Sequence, residues 1–350
     1  MKFFRRRFQV EERGRSRYFI LIMKNQNSKA KDTTNRRAQN ILRLVAATAL
    51  LCLMLGSSGS ETAKMKGAVE ETHHSKLNSA FTYAVYRQSS GCDETAVLYY
   101  FHGYGGDANS WYTSNAGIMD EWKKKGVKPP IVVALTFGPD WLMLPADASD
   151  RSVRLEDFVN ELMPEVEAQL GGRIHRRLLF GFSIGGANVA QLLFRYPELF
   201  EKAVIASPQV YPFSVFEAEE KVDAFIKSVE TTFKPAGPID WIKVNIFRHD
   251  TVAKCVREEL SLMRRYFQDP EAWARADILA NMRTAPLGRK IGVYVSCGRQ
   301  DINGFFPGAQ LLEKTAASRG YDAAFDPLEG GHLSLNEPRI ADFLAGPDKK

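Results

Sequence analysis

Cysteine is scarce in this sequence: four residues in 350. So low a count excludes a disulfide-built scaffold, and a chain of this length buries most of its core without one. There is no CxxC pair and no histidine-rich spacing, so no metal site is expected. Long apolar runs are also missing. The apolar and small stretch from Leu44 to Gly56 has 13 residues, short of the roughly 20 that a spanning helix needs. No internal repeat and no low-complexity tract occurs beyond the N-terminal leader. Apolar residues make up 45% and charged residues 25% of the chain, the balance of an ordinary globular protein.

A basic folded surface is lacking too, although the formal net charge is +6. Residues 1–60 carry 13 Lys and Arg against three Asp and Glu, which is +10; residues 61–350 carry 34 against 38, which is −4. A nucleic-acid surface runs through the folded part, so nucleic-acid binding is set aside.

The basic segment has the order of a targeting signal. Arg36, Arg37 and Arg43 precede the Leu44–Gly56 run, and the small residues Ser57, Ser58, Gly59 and Ser60 follow. Charged start, apolar middle and small exit are the features that export machinery and signal peptidase read. Residues 1–60 are therefore expected to be a leader with a signal peptide, and the protein to be exported, secreted or periplasmic. An uncleaved signal-anchor, which would hold the chain at a membrane, is the alternative. Met23 is a second possible start. The bulky Leu51 before Cys52 argues against a lipid-modified cysteine. Cleavage after Ser60 leaves Cys92, Cys255 and Cys297, enough for one disulfide at most.

Residues 61–80 are polar and read as a loose lead-in. Over 81–345 strand and helix patterns alternate, pointing to an α/β domain: a mostly parallel central sheet with helices on both faces. The runs 96–101, 131–136, 177–180, 203–207 and 291–296 are short, continuous and apolar, as strands buried on both faces are. Phe158, Leu162, Val166 and Leu170 recur every four residues and predict a helix over 155–170; another spans 187–196 and stops at Pro197. The interval 211–289 is rich in charge and aromatics and has one weak strand candidate, 244–247. It reads as a helical cap inserted between two sheet strands.

The strongest chemical signal is Gly181-Phe182-Ser183-Ile184-Gly185-Gly186. It is a G-x-S-x-G motif between a strand and a helix, the context in which that motif forms a nucleophile elbow. Ser183 is the candidate nucleophile. His102-Gly103-Tyr104-Gly105-Gly106 follows the 96–101 strand. Acyl transfer builds charge on a carbonyl oxygen, which fixed backbone N–H donors must meet. Ile184 and Tyr104 are the candidate oxyanion donors, with Gly105 the alternative to Tyr104. His102 reads as a residue that holds this loop. Asp301 follows the 291–296 strand, on the edge where open α/β sheets bind ligands. His332 sits in a glycine-flanked loop further on. Asp301 is the candidate orienter and His332 the candidate base, with Asp322, Asp326 and Glu329 as rivals of Asp301. Trp111, Trp141, Tyr211 and Phe305 fall near the catalytic edge and are candidate substrate-binding residues, or packing residues of cap and loops.

Residues 100–106, 179–186, 195–200, 297–301 and 330–332 together resemble the esterase family that includes esterase D (S-formylglutathione hydrolase), feruloyl and acetylxylan esterases, and mycolyl transferases. The resemblance implies an α/β-hydrolase fold and cofactor-free ester hydrolysis through an acyl-enzyme. It places the family's serine, acid and histidine on Ser183, Asp301 and His332. The 211–289 interval is longer than in compact members, and an export leader is foreign to the glutathione-thioester enzyme. The expected substrate is thus a small-molecule or polysaccharide-linked ester, acetyl, feruloyl or similar. Acyl transfer with the same residues and a non-catalytic binding protein on this scaffold are the competing readings. The sequence sets no oligomeric state.

Overall fold

A computed structural model describes residues 68–77, 81–88, 91–136, 154–232, 251–285 and 291–345. All fall in one compact unit, 65–350. The leader 1–60, Trp141 and the strand candidate 244–247 lie outside the described residues.

Eight strands form one sheet: β1 (Ala68–His74), β2 (Thr82–Gln88), β3 (Asp93–Phe101), β4 (Pro130–Thr136), β5 (Arg176–Phe182), β6 (Lys202–Ala206), β7 (Gly292–Gly298) and β8 (Asp322–Leu328). Their spatial order is β1-β2-β4-β3-β5-β6-β7-β8. The six strands from β4 to β8 pair in parallel, and β2 and β1 add antiparallel strands at one edge. This is the mostly parallel sheet expected, and all five sequence-read strands lie in it.

The helices used below are α1 (Ser110–Ser114), α2 (Ala116–Lys125), α3 (Met163–Gln169), α4 (Ile184–Arg195), α5 (Glu219–Thr232), α6 (Val252–Phe267), α7 (Pro270–Ala276), α8 (Ile278–Thr284), α9 (Phe306–Ser318) and α10 (Glu337–Leu344). Two apolar clusters, one on each face, seal the sheet. The larger joins odd-numbered β3 residues such as Val97, Tyr99 and Phe101 to α4 and the inserted helices. The smaller joins Leu98 and Tyr100 to Trp111, Trp122 and α10. The period-two split follows from alternate side chains leaving opposite faces of a strand.

The lead-in is a correction. Residues 68–74 are β1, paired with β2 from Ala68↔Gln88 to His74↔Thr82. Ser75 Oγ then donates to Glu165 Oε2 at 2.6 Å, tying the end of this segment to α3. An edge strand takes its stability from ladder hydrogen bonds, which leave no apolar run for a sequence reader to find.

The predicted 155–170 helix forms, but not as one α-helix. A helical turn (Leu155–Asp157) leads through a π-helical stretch (Phe158–Leu162) into α3. Pro164 explains the irregularity: it has no N–H for the residue four back, and the wider turn is closed by Met163 N–H donating to Phe158 O. Phe158, Leu162, Val166 and Leu170 are buried as the four-residue period requires.

In the described part of the insertion between β6 and β7, residues 207–218 are irregular and the helices α5 to α8 follow. Val222, Ile226, Val256, Leu260 and Met263 join the larger sheet cluster. The insertion therefore shares the domain's core. No disulfide joins Cys92, Cys255 and Cys297.

Candidate active site

Ser183 occupies the turn between β5 and α4 with φ 58° and ψ −118°, a strained conformation for a residue with a side chain. Two glycines make the turn possible. A Cβ on Gly181 would lie 2.1 Å from Gly185 O, and one on Gly185 would lie 2.0 Å from Phe101 O. Strand, turn and helix are too close for any larger residue. In an ordinary helix, replacing glycine with alanine stabilises by about 1 kcal/mol. Gly185→Ala should do the opposite here, costing roughly 1–3 kcal/mol as β3 and α4 are forced apart. Urea unfolding of the variant checks the sign.

The Ser183 carbonyl is held by Ala187 and Gln209 N–H groups, and its own N–H donates to Ala206 O. The serine is therefore fixed to both the following helix and the strand beyond it. Ser183 Oγ stands 3.0 Å from His332 Nε2, and His332 Nδ1 stands 2.8 Å from Asp301 Oδ2. Asp301 is 1% exposed, and its other oxygen accepts the Asn303 N–H.

The loops that bring Asp301 and His332 together are zipped by hydrogen bonds. Arg299 N–H donates to Leu328 O, Gln300 N–H to Gly330 O, and Gly330 N–H to Gln300 Oε1. Gly298 must be glycine, because a Cβ there would sit 2.2 Å from Gly331 O. Ser207 Oγ donates to His332 O at 2.9 Å and holds the histidine loop from the β6 side. Phe182 and Phe305 flank the imidazole, with centroids 5.2 and 5.6 Å away.

The three rivals of Asp301 are occupied elsewhere. Asp326 accepts from Tyr294 and Asn336 and pairs with Arg339. Glu329 pairs with Arg299, and Asp322 lies exposed at the start of β8.

The 102–106 loop abuts the serine: a Cβ on Gly103 would be 3.3 Å from Ser183 Cβ. His102 Nδ1–H donates to Gly103 O at 2.7 Å, and burial lowers the pKa of its imidazole, favouring the neutral form. It holds the loop, as its position in the sequence suggests. Neither the Tyr104 nor the Ile184 N–H donates a hydrogen bond among the described residues. Ile184 opens α4, where N–H groups have no intrahelical partner. The Tyr104 ring itself is exposed.

The substrate-binding candidates fare differently. Trp111 has no exposed surface; it packs among Tyr100, Trp122 and Phe180 in the smaller core, so it has nothing to offer a ligand. Trp111→Ala should therefore cost about 3–5 kcal/mol of stability through cavity formation, with KM nearly unchanged in the folded fraction; thermal unfolding beside Michaelis kinetics separates the two. Tyr211 and Phe305 do lie beside the triad, but they are only 3% and 2% exposed. Tyr211 donates its hydroxyl to Asn303 O and packs edge-on against Phe305, which packs against His332. They brace the acid and histidine loops, and offer a ligand almost no surface.

Three polar residues near Ser183, His332 and Asp301 were given no role from the sequence. Gln209 Nε2–H donates to Glu259 Oε2 at 2.6 Å, joining the segment after β6 to α6 across 50 residues. Cys297 Sγ lies 3.5 Å from Asp301 Oδ2, and burial raises the pKa of this thiol well above its ordinary value.

The arrangement suits proton transfer from a hydroxyl to an imidazole backed by a buried carboxylate. The sequence also matches the model of the family described as "Putative esterase" over residues 75–332. The chain belongs to this family. Among curated protein sequences there is no significant match. Similar solved structures include an esterase of the bacterial hormone-sensitive lipase family, with a TM-score of 0.53 and 18% identity over 90% of this chain and 98% of that one. The Pyrobaculum calidifontis esterase gives 0.52 and 16% over 79% and 84% of the two chains. A ferulic acid esterase gives 0.50 and 16% over 79% and 96%. At these identities the likeness is one of fold, that of α/β-hydrolase esterases. Family and fold together support carboxylic-ester hydrolysis.

Proposed function

We propose that this chain is a serine carboxylic-ester hydrolase in which Ser183 is the nucleophile, His332 the base and Asp301 the residue that orients the histidine. The observation that carries the reading is the continuous contact from Ser183 Oγ through His332 to Asp301, at 3.0 and 2.8 Å. His332 Nε2 takes the Ser183 proton as Oγ bonds to the ester carbon. The carbonyl oxygen becomes an anion, met by the Ile184 and Tyr104 N–H groups. It returns to a carbonyl as the carbon–alkoxide bond breaks, and His332 gives its proton to the departing alcohol. Water then attacks the acyl-enzyme with His332 again as base, releasing the acid and restoring Ser183. With the ester and one water as reactants, these steps balance.

The proposed substrates are small esters, acetyl, feruloyl or similar, free or linked to a polysaccharide. Hydrolysis of p-nitrophenyl acetate and butyrate by the full chain tests the activity; no turnover by folded protein contradicts it. Export through the Arg36–Ser60 signal belongs to the same proposal. N-terminal sequencing of the mature protein should begin near residue 61, and an intact leader would overturn that part. Among the described residues no helix is long and apolar enough to cross a membrane.

A further inference from the structure

The triad leaves a second polar pair beside it unused. Gln209 lies three residues past the end of β6, and its backbone N–H donates to Ser183 O at 3.1 Å, so its position is tied to the nucleophile. Its side chain is 3% exposed and donates to Glu259 Oε2. A carboxylate only accepts, so this bond sets the amide orientation and makes the other end of Gln209 an acceptor. That acceptor, Oε1, is buried without a hydrogen-bond partner. Glu259 Oε1 likewise receives no donor among the described residues, and no Lys or Arg there pairs with the carboxylate.

Glu259 is half-buried on α6, the inserted helix. Burial raises its pKa; Asp301 and Glu258 add to the rise, while Gln209 and His332 oppose it. It is thus within the electrostatic reach of the catalytic pair but takes no part in it. His332 Nδ1 is occupied by Asp301, and Nε2 by Ser183. An under-solvated carboxylate with no cation and a buried amide oxygen with no donor are both costly. The first cost falls when a ligand supplies a donor to Glu259, which is only half-buried.

We propose that Glu259, held in place by Gln209, is an acceptor that selects esters bearing hydrogen-bond donors, hydroxyl or ammonium, on the part of the substrate that does not react. The proposal rests on the Ser183 esterase reading and names a class of substrate within it. A site that accepts hydrogen bonds from a substrate discriminates strongly against the analogue lacking the donor.

The test is a set of isosteric pairs given to the full chain: glycerol 1-butyrate against 2-methylbutyl butyrate, ethyl 3-hydroxybutyrate against ethyl 3-methylbutyrate, and 3-(dimethylamino)propyl butyrate against 4-methylpentyl butyrate. The kcat/KM ratio within each pair cancels any uniform loss of active protein. Wild type should favour the donor-bearing member of at least one pair by about tenfold or more. Glu259→Leu should bring that ratio close to one. Glu259→Gln, which keeps an acceptor and loses the charge, should retain a hydroxyl preference and abolish an ammonium one, so the two donor sources separate.

Equal rates within every pair, or ratios unmoved by Glu259→Leu, would overturn the Glu259 assignment and leave the esterase reading intact. A fluorophosphonate that labels Ser183 in a chain hydrolysing no donor-bearing ester would do the same. No labelling and no hydrolysis of any ester would overturn both.

Discussion

Ser183→Ala should lower kcat for p-nitrophenyl butyrate by at least about 10⁴-fold, with unfolding behaviour close to wild type. The size follows from the chemistry. Removing a serine nucleophile whose histidine partner is intact removes the covalent route entirely and leaves only what binding and oxyanion donors achieve alone. Stability should be little affected, because Ser183 Oγ interacts with His332 and with nothing else described. The strained φ of 58° remains in the variant, since alanine also carries a Cβ. A loss of activity accompanied by gross unfolding would mean that the turn, not the hydroxyl, had been removed.

Asp301→Asn is the second large effect, a fall of about 10⁴-fold in kcat. Asp301 Oδ2 accepts the Nδ1 proton of His332, which leaves Nε2 unprotonated and facing the serine. An amide nitrogen at that position would instead favour protonation of Nε2, where the lone pair is needed. Asp301 also has almost no exposure, so water cannot substitute for it. The comparison that gives the result meaning is Asp326→Asn. That carboxylate serves Tyr294, Asn336 and Arg339, and its loss should weaken packing around α10 with far less effect on kcat. Equal kinetic losses in the two variants would remove Asp301 from its assigned role.

Much of this site was legible because tight backbone turns demand particular residues. Gly181 and Gly185 are dictated by contacts of 2.1 and 2.0 Å to backbone, and Gly298 by one of 2.2 Å. Such constraints write themselves into a motif that one sequence suffices to read. The central strands were legible for a related reason: burial on both faces forces continuous apolar runs such as 131–136. The edge strand β1 has no such run, and its backbone pairing with β2 cannot be seen in residues 68–74 alone.

Aromatic residues near strand ends proved hardest to assign. Nothing in the sequence around Trp111 says which face of the sheet it packs on. That is decided by α1 folding back onto Tyr100 and Phe180. Gln209 and Glu259 were illegible for another reason. Their relation exists only once α6 is laid against the segment after β6, a juxtaposition that local pattern does not encode.

The central claim is that Ser183 is the acylated residue, and mass spectrometry after fluorophosphonate treatment tests it most directly. The account predicts one adduct per chain, on the peptide carrying Ser183, with esterase activity falling in proportion to labelling. An adduct on a different residue that abolishes activity, or full activity in a chain whose Ser183 is fully modified, would contradict it.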